Sequence, residues 1–72
     1  MSENWEKVMV TPVSYRAELA KVLLEGHQIN AVVVNKKDSN YLLGNCEVYV
    51  PSRDATMAKI HLISADFDET RL

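Results

Sequence analysis

The sequence predicts an α+β domain with the order β-α-β-β-α. This is a split βαβ, ferredoxin-like arrangement that lacks the usual fourth strand. Its three-stranded antiparallel sheet takes the order 1-3-2, with two helices on one face. Three observations predict it. Two apolar stretches repeat at helical spacing, three others alternate or run as strand formers, and Pro or Gly marks most of the junctions between them.

The segment WEKVMVT, Trp5–Thr11, is rich in aromatic and β-branched residues and reads as the first strand. Alternation puts Val8 and Val10 on one face and Trp5, Lys7 and Met9 on the other. Pro12 ends it, and Thr11 or Ser14 stands where a helix cap belongs. Over Ser14–Gly26, Leu19, Val22 and Leu23 recur with Ala17, Ala20 and Leu24 at three- and four-residue spacings. Arg16, Glu18, Lys21 and Glu25 fall largely opposite them, so the segment reads as an amphipathic helix. Gly26 is placed to close it in a left-handed cap.

The run INAVVVN, residues 29–35, is apolar throughout, which suggests a strand buried on both faces. CEVYV, residues 46–50, alternates cleanly. Cys46, Val48 and Val50 share one side; Glu47 and Tyr49 share the other. Pro51 stops the strand, Ser52 is set to cap the second helix, and Asp54 suits its first turn. Ala55, Ala58, Ile60, Leu62 and Ile63 support that helix to about Ser64, its best stripe being Ala55, Ala58 or Lys59, and Leu62. The tail, residues 65–72, is acidic, and Phe67 is expected to fold back onto the core.

The chain has 72 residues and reads as one domain, with its core over about residues 5–64. Hydrophobic content of 47% and charge of 25% fit a globular chain. A net charge of −2 speaks against a nucleic-acid surface, which needs clustered positive charge. One cysteine cannot make an internal disulfide. The start MSENWEKV does not read as a signal peptide, and no run approaches the roughly 18 apolar residues of a membrane span. Cytoplasm is the expected compartment, with no membrane and no nucleic-acid partner.

Four places resemble a known family. They are the opening strand with its early Trp and closing Thr, WEKVMVT, and the helix pattern A-x-L-A-K-x-L-L-E over residues 17–25. The other two are Ile29 with Ala31, and Val50-Pro51 followed by Asp54-Ala55 and Ala58. Across about residues 5–63 the chain resembles the small bacterial domains of the prokaryotic signal-transducing protein family, whose function is not established. The matched positions are packing and capping positions, none of them catalytic. Gly26-His27-Gln28-Ile29 lengthens a turn that is shorter in many members, and only Gly44 remains of a loop that is often Gly-rich. The resemblance implies signalling, by analogy with nitrogen-regulatory proteins of similar fold. In those, a long loop between strands 2 and 3 meets partners, and nucleotides bind near its base.

Candidate chemistry is sparse. His27, His61 and Cys46 lie on a turn, a helix and a strand without metal-ligand spacing, and His61 is expected on the helix's outer side. Cys46 lacks the oxyanion donors and orienting group a thiol nucleophile needs, and reads as a buried, inert thiol. Asp66, Asp68 and Glu69 read as a solvated end. The reading is therefore non-enzymatic, with no catalytic residue, no metal and no cofactor.

The loop NKKDSNYLLGNC, residues 35–46, is the most informative stretch. It places Tyr41, Leu42 and Leu43 together at a loop tip. One or more of them either plugs the end of the core or forms an exposed contact patch beside Lys36, Lys37 and Asn45. The missing fourth strand leaves strand 1 as an edge and one sheet face uncovered, with Trp5, Met9 and Tyr49 expected on it. A homodimer through that face is the expected remedy. The functional expectation is a regulatory or protein-binding module acting through the strand 2–3 loop and the open face. The alternative is a sensor that binds a small effector at the base of the loop, where Lys36 or Lys37 would contact an anion.

Overall fold

The computed structural model describes residues 4–37 and 44–67. Its elements are β1 (Trp5–Thr11), α1 (Ser14–Gly26), β2 (Val32–Asn35), β3 (Cys46–Pro51), a 3-10 turn (Ser52–Asp54) and α2 (Ala55–Ser64). The sheet order is β1-β3-β2, and β3 pairs antiparallel with both neighbours. Both helices lie on one face. Ala17, Ala20 and Leu24 of α1 join Ala55, Ala58 and Leu62 of α2 in a core over Cys46, Val48 and Val50. Among the described residues no helix is long and apolar enough to cross a membrane.

The faces of β1 differ from simple alternation. Lys7 opposes Tyr49, but Met9 opposes Val48, so Val8 is an extra residue in the ladder. This β-bulge carries Met9 across to the helix side. Met9 is 6% exposed and belongs to the core, with Val8 packed beside it. The expectation that Met9 lies on the open face with Trp5 and Tyr49 is therefore wrong. Val10, expected beside Val8, instead faces away from the helices, opposite Glu47.

β2 is shorter and less buried than its apolar run suggests. Val32 is 45% exposed, and Val33 and Val34 are half-buried. Being an edge strand with one bare face explains this. The run also begins inside another motif. Ile29 N–H donates to Leu24 O (3.0 Å) and Gln28 N–H to Glu25 O (3.0 Å). This is a Schellman clasp at the end of α1, with buried Leu24 and Ile29 as its apolar pair. The left-handed residue is Gln28 (φ 65°), and Gly26 stays within the helix, contrary to expectation. α2 ends the same way. Phe67 N–H donates to Leu62 O (2.8 Å), Asp66 N–H donates to Ile63 O (3.0 Å), and Asp66 is left-handed (φ 64°). The clasp folds Phe67 back against the core, as expected.

Neither helix start has its expected cap. The Thr11 hydroxyl accepts from Val13 N–H (3.1 Å), and Ser14 Oγ meets Cys46 Sγ (3.4 Å). Ser52 opens the 3-10 turn, and its N–H donates to Asn4 O (2.9 Å). Side-chain contacts at the margin also join the helices side to side. The Arg16 guanidinium lies 5.0 Å above the Phe67 ring, and the His27 and His61 rings stack at 3.7 Å. His61 therefore faces α1 rather than outward.

Candidate functional site

The sheet register decides what the uncovered face presents. Opposed residues of an antiparallel pair point to the same side. Lys7 and Val32 flank Tyr49, Val10 and Val34 flank Glu47, and Trp5 stands opposite Pro51. Trp5 and Tyr49 thus lie where the sequence places them. Trp5 is 45% exposed.

Glu47 is the centre of this face. It is buried, with only 8% of its surface accessible, although among the described residues no helix lies over it. Its neighbours shield it. Tyr49 Oη donates to Glu47 Oε1 (2.7 Å), and Lys36 Nζ lies 3.3 Å from the same oxygen. Lys7 Nζ lies 3.7 Å from Oε2. The Tyr49 hydrogen bond is the largest influence holding the Glu47 carboxyl below its ordinary range. Burial opposes it, and the two lysines add to it. The same bond, with burial, raises the Tyr49 phenol above its usual value. The result is an ionised carboxylate held by Lys7 of β1, Tyr49 of β3 and Lys36 just past the end of β2. It is engaged on both oxygens, so it offers little to a metal ion or a transferable proton. Among the described residues no group of three or more His, Cys, Asp or Glu gathers to hold a metal.

The base of the β2–β3 loop borders this face. Lys36 N–H donates to Asn45 O (2.9 Å), and Lys37 N–H donates to Asn35 Oδ1 (2.9 Å). Gly44 has φ 111°, and a Cβ there would sit 2.8 Å from Lys36 O. Only glycine permits this approach, so the loop base is pinned as tightly as a hairpin. Lys36 and Asn45 are therefore brought together at the loop base, with Lys37 next along the chain. The Lys36 ammonium, however, turns toward Glu47. That weakens the reading of Lys36 as an anion contact for a small effector. Tyr41, Leu42 and Leu43 lie outside the described residues.

Sequence reasoning paired Glu47 with Tyr49 by alternation but missed the roles of Lys7 and Lys36. Their approach to Glu47 depends on register between strands distant in sequence, which no local pattern carries. It likewise missed the His27–His61 stack, which depends on how the two helices lie.

No family model matches the chain, and no curated protein or solved structure matches it either.

Proposed function

We propose that the chain is a non-catalytic, regulatory binding module that takes a protein partner on its open sheet face, with the β2–β3 loop at the border. One observation carries this reading. The face exposes Trp5 and Val32 at 45% each, around a Glu47 carboxylate paired with Lys7 and Lys36. Aromatic and apolar anchors around a satisfied polar centre are what recognition surfaces use. A rigid sheet and a pinned loop base also present them with little ordering cost. The resemblance to signal-transducing domains agrees with a regulatory role. The free thiol of Cys46 fits a reducing compartment, and we place the module in the cytoplasm.

The test is crosslinking and affinity capture from the native cell extract, comparing the intact chain with a Trp5→Ala, Val32→Ser variant. Partners held by the intact chain should be lost from the variant, with circular dichroism unchanged. Capture that is identical for both proteins would remove the sheet face from the function. A Tyr41→Ala, Leu42→Ser variant run alongside tells whether the loop tip shares the contact.

A further inference from the structure

The outer side of the helix layer carries two apolar rows, Tyr15, Leu19 and Val22 on α1 and Met57, Ile60 and Ile63 on α2, all exposed. Periodicity alone places Leu19 and Val22 inward. Lys59 of α2 and Arg53 of the turn before it are already paired within the chain, with Glu6 and Asp54. The sheet face is different, because its charges do not cancel. Lys7 and Lys36 both reach Glu47, and among the described residues it is the carboxylate that both share. Glu6, beside Lys7 in β1, stands opposite Val50 on the helix side, where Lys59 holds it at 3.2 Å. Two ammoniums on one carboxylate leave a surplus of one positive charge at the centre of the face. Depth matters as much as the sum. The Glu47 side chain is 11% exposed, whereas those of Lys7 and Lys36 are 47% and 57% exposed. A charge arriving from solvent therefore meets ammonium first, with the carboxylate beneath. Contact with Glu47 occupies one N–H of each ammonium, which has three to give.

We infer that the open face takes an acidic segment of its partner protein, with one carboxylate seated on Lys7 and Lys36 and apolar neighbours on Trp5 and Val32. The inference rests on the proposed use of this face and adds the chemistry of what the face holds. Charge selects among the occupants. A second copy laid face to face would set the surplus against its own likeness, and charges of one sign repel. A nucleic acid or a phosphorylated residue brings more negative charge than this surplus matches, and the chain as a whole already stands at −2. A carboxylate matches it one for one. A small free anion gains only that charge, screened by water and salt. A segment of protein adds contact with Trp5 and Val32, each 45% exposed. The register brings these anchors within one reach. Lys7 and Val32 are the ends of one cross-strand row with Tyr49 between them. Strands about 4.8 Å apart set the cation and the apolar anchor roughly 10 Å from each other, which about three residues of extended chain span.

The test is a titration of the full, isotope-labelled chain, followed by NMR at low salt. The probes are a capped peptide of leucine, valine and serine around one central glutamate, and the same peptide with glutamine in its place. The glutamate peptide should shift the resonances of Lys7, Tyr49 and Val32, and its Kd should be lower than that of the glutamine peptide by about threefold or more. That difference should shrink in Lys7→Gln and in Lys36→Gln. Each of these leaves Glu47 its bond from Tyr49 and one lysine, and circular dichroism should show both folded. Glu47→Gln should act in the opposite sense. It enlarges the surplus and should tighten the glutamate peptide by about threefold, whereas loss of a merely structural residue would loosen it. Equal binding of the two peptides on this face overturns the inference and leaves the proposed function standing. Binding of neither at about 5 mM overturns it too, and the capture experiment with Trp5→Ala, Val32→Ser then judges the face by itself. Sodium phosphate that displaces the glutamate peptide at equal concentration would show a bare anion site. Face resonances that move when the chain alone is diluted would show a second copy there. Either result overturns the acidic segment.

Discussion

The two faces of β3 are both shielded from water, by different means. On one face Cys46, Val48 and Val50 lie beneath two helices and carry no charge. On the other, Glu47 is nearly as inaccessible, but it is side chains of the sheet and loop base, Lys7, Lys36 and Tyr49 foremost, that stand around it. The first kind of burial depends on elements packing and disappears only with the fold. The second depends on three side chains keeping their posture, so it responds to pH, to salt and to anything that settles on the face.

The comparison breaks most severely at Val48, which is fully buried under the helices. Val48→Asp places an unpaired charge there, at a cost of several kcal/mol, comparable with the whole stability of a small domain. Loss of the cooperative urea transition is expected. A folded Val48→Asp protein would show that the helix layer seals the core poorly.

Met9→Ala tests which face the bulge assigns to that side chain. As a core residue it should cost about 2–5 kcal/mol by urea denaturation. A loss below about 0.5 kcal/mol is what an exposed position would give, and would return Met9 to the open face.

The smallest effect sharpens the open side. Folding favours the ionised Glu47, whose carboxyl lies below its ordinary 4.5, through the Tyr49 hydrogen bond first. That contribution is complete above the unfolded value and is lost as pH falls through the folded one. Tyr49 lies above its ordinary 10.0, so its contribution is complete below that value and fades as pH rises through the folded one. The urea midpoint of the intact chain should therefore decline at both extremes. In Glu47→Gln both declines should be shallower, and equal slopes in the two proteins would dismiss the cluster as a stabilising unit.

What the sequence made legible follows the range of each interaction. The bounds of β1 and α1 are readable from local period and from Pro12, because helix and strand periodicity are short-range properties. The order β1-β3-β2 is readable because a crossover that leaves a gap admits few alternatives. The face of Met9 was not, since a bulge is a mismatch between two strands and leaves no mark on one of them. Gln28 and Asp66 were hidden for a related reason. Each takes a left-handed conformation that glycine would adopt more easily, because the apolar contacts Leu24–Ile29 and Leu62–Phe67 fix the clasp whatever residue turns it. The outward rows on the helices show the limit of periodicity itself. Both α1 and α2 are apolar on more than one side, so spacing alone cannot say which side meets the sheet.

The central strand of the sheet is also the last one along the chain. β1 and β2 do not pair with each other; each waits for β3. During synthesis the ribosome must therefore release the chain as far as Cys46 before the first rung of the ladder can close. Until then only α1, with its own internal hydrogen bonds, has reason to form. The order of strands thus turns a small domain into a single decision, taken late, with no partly built sheet along the way.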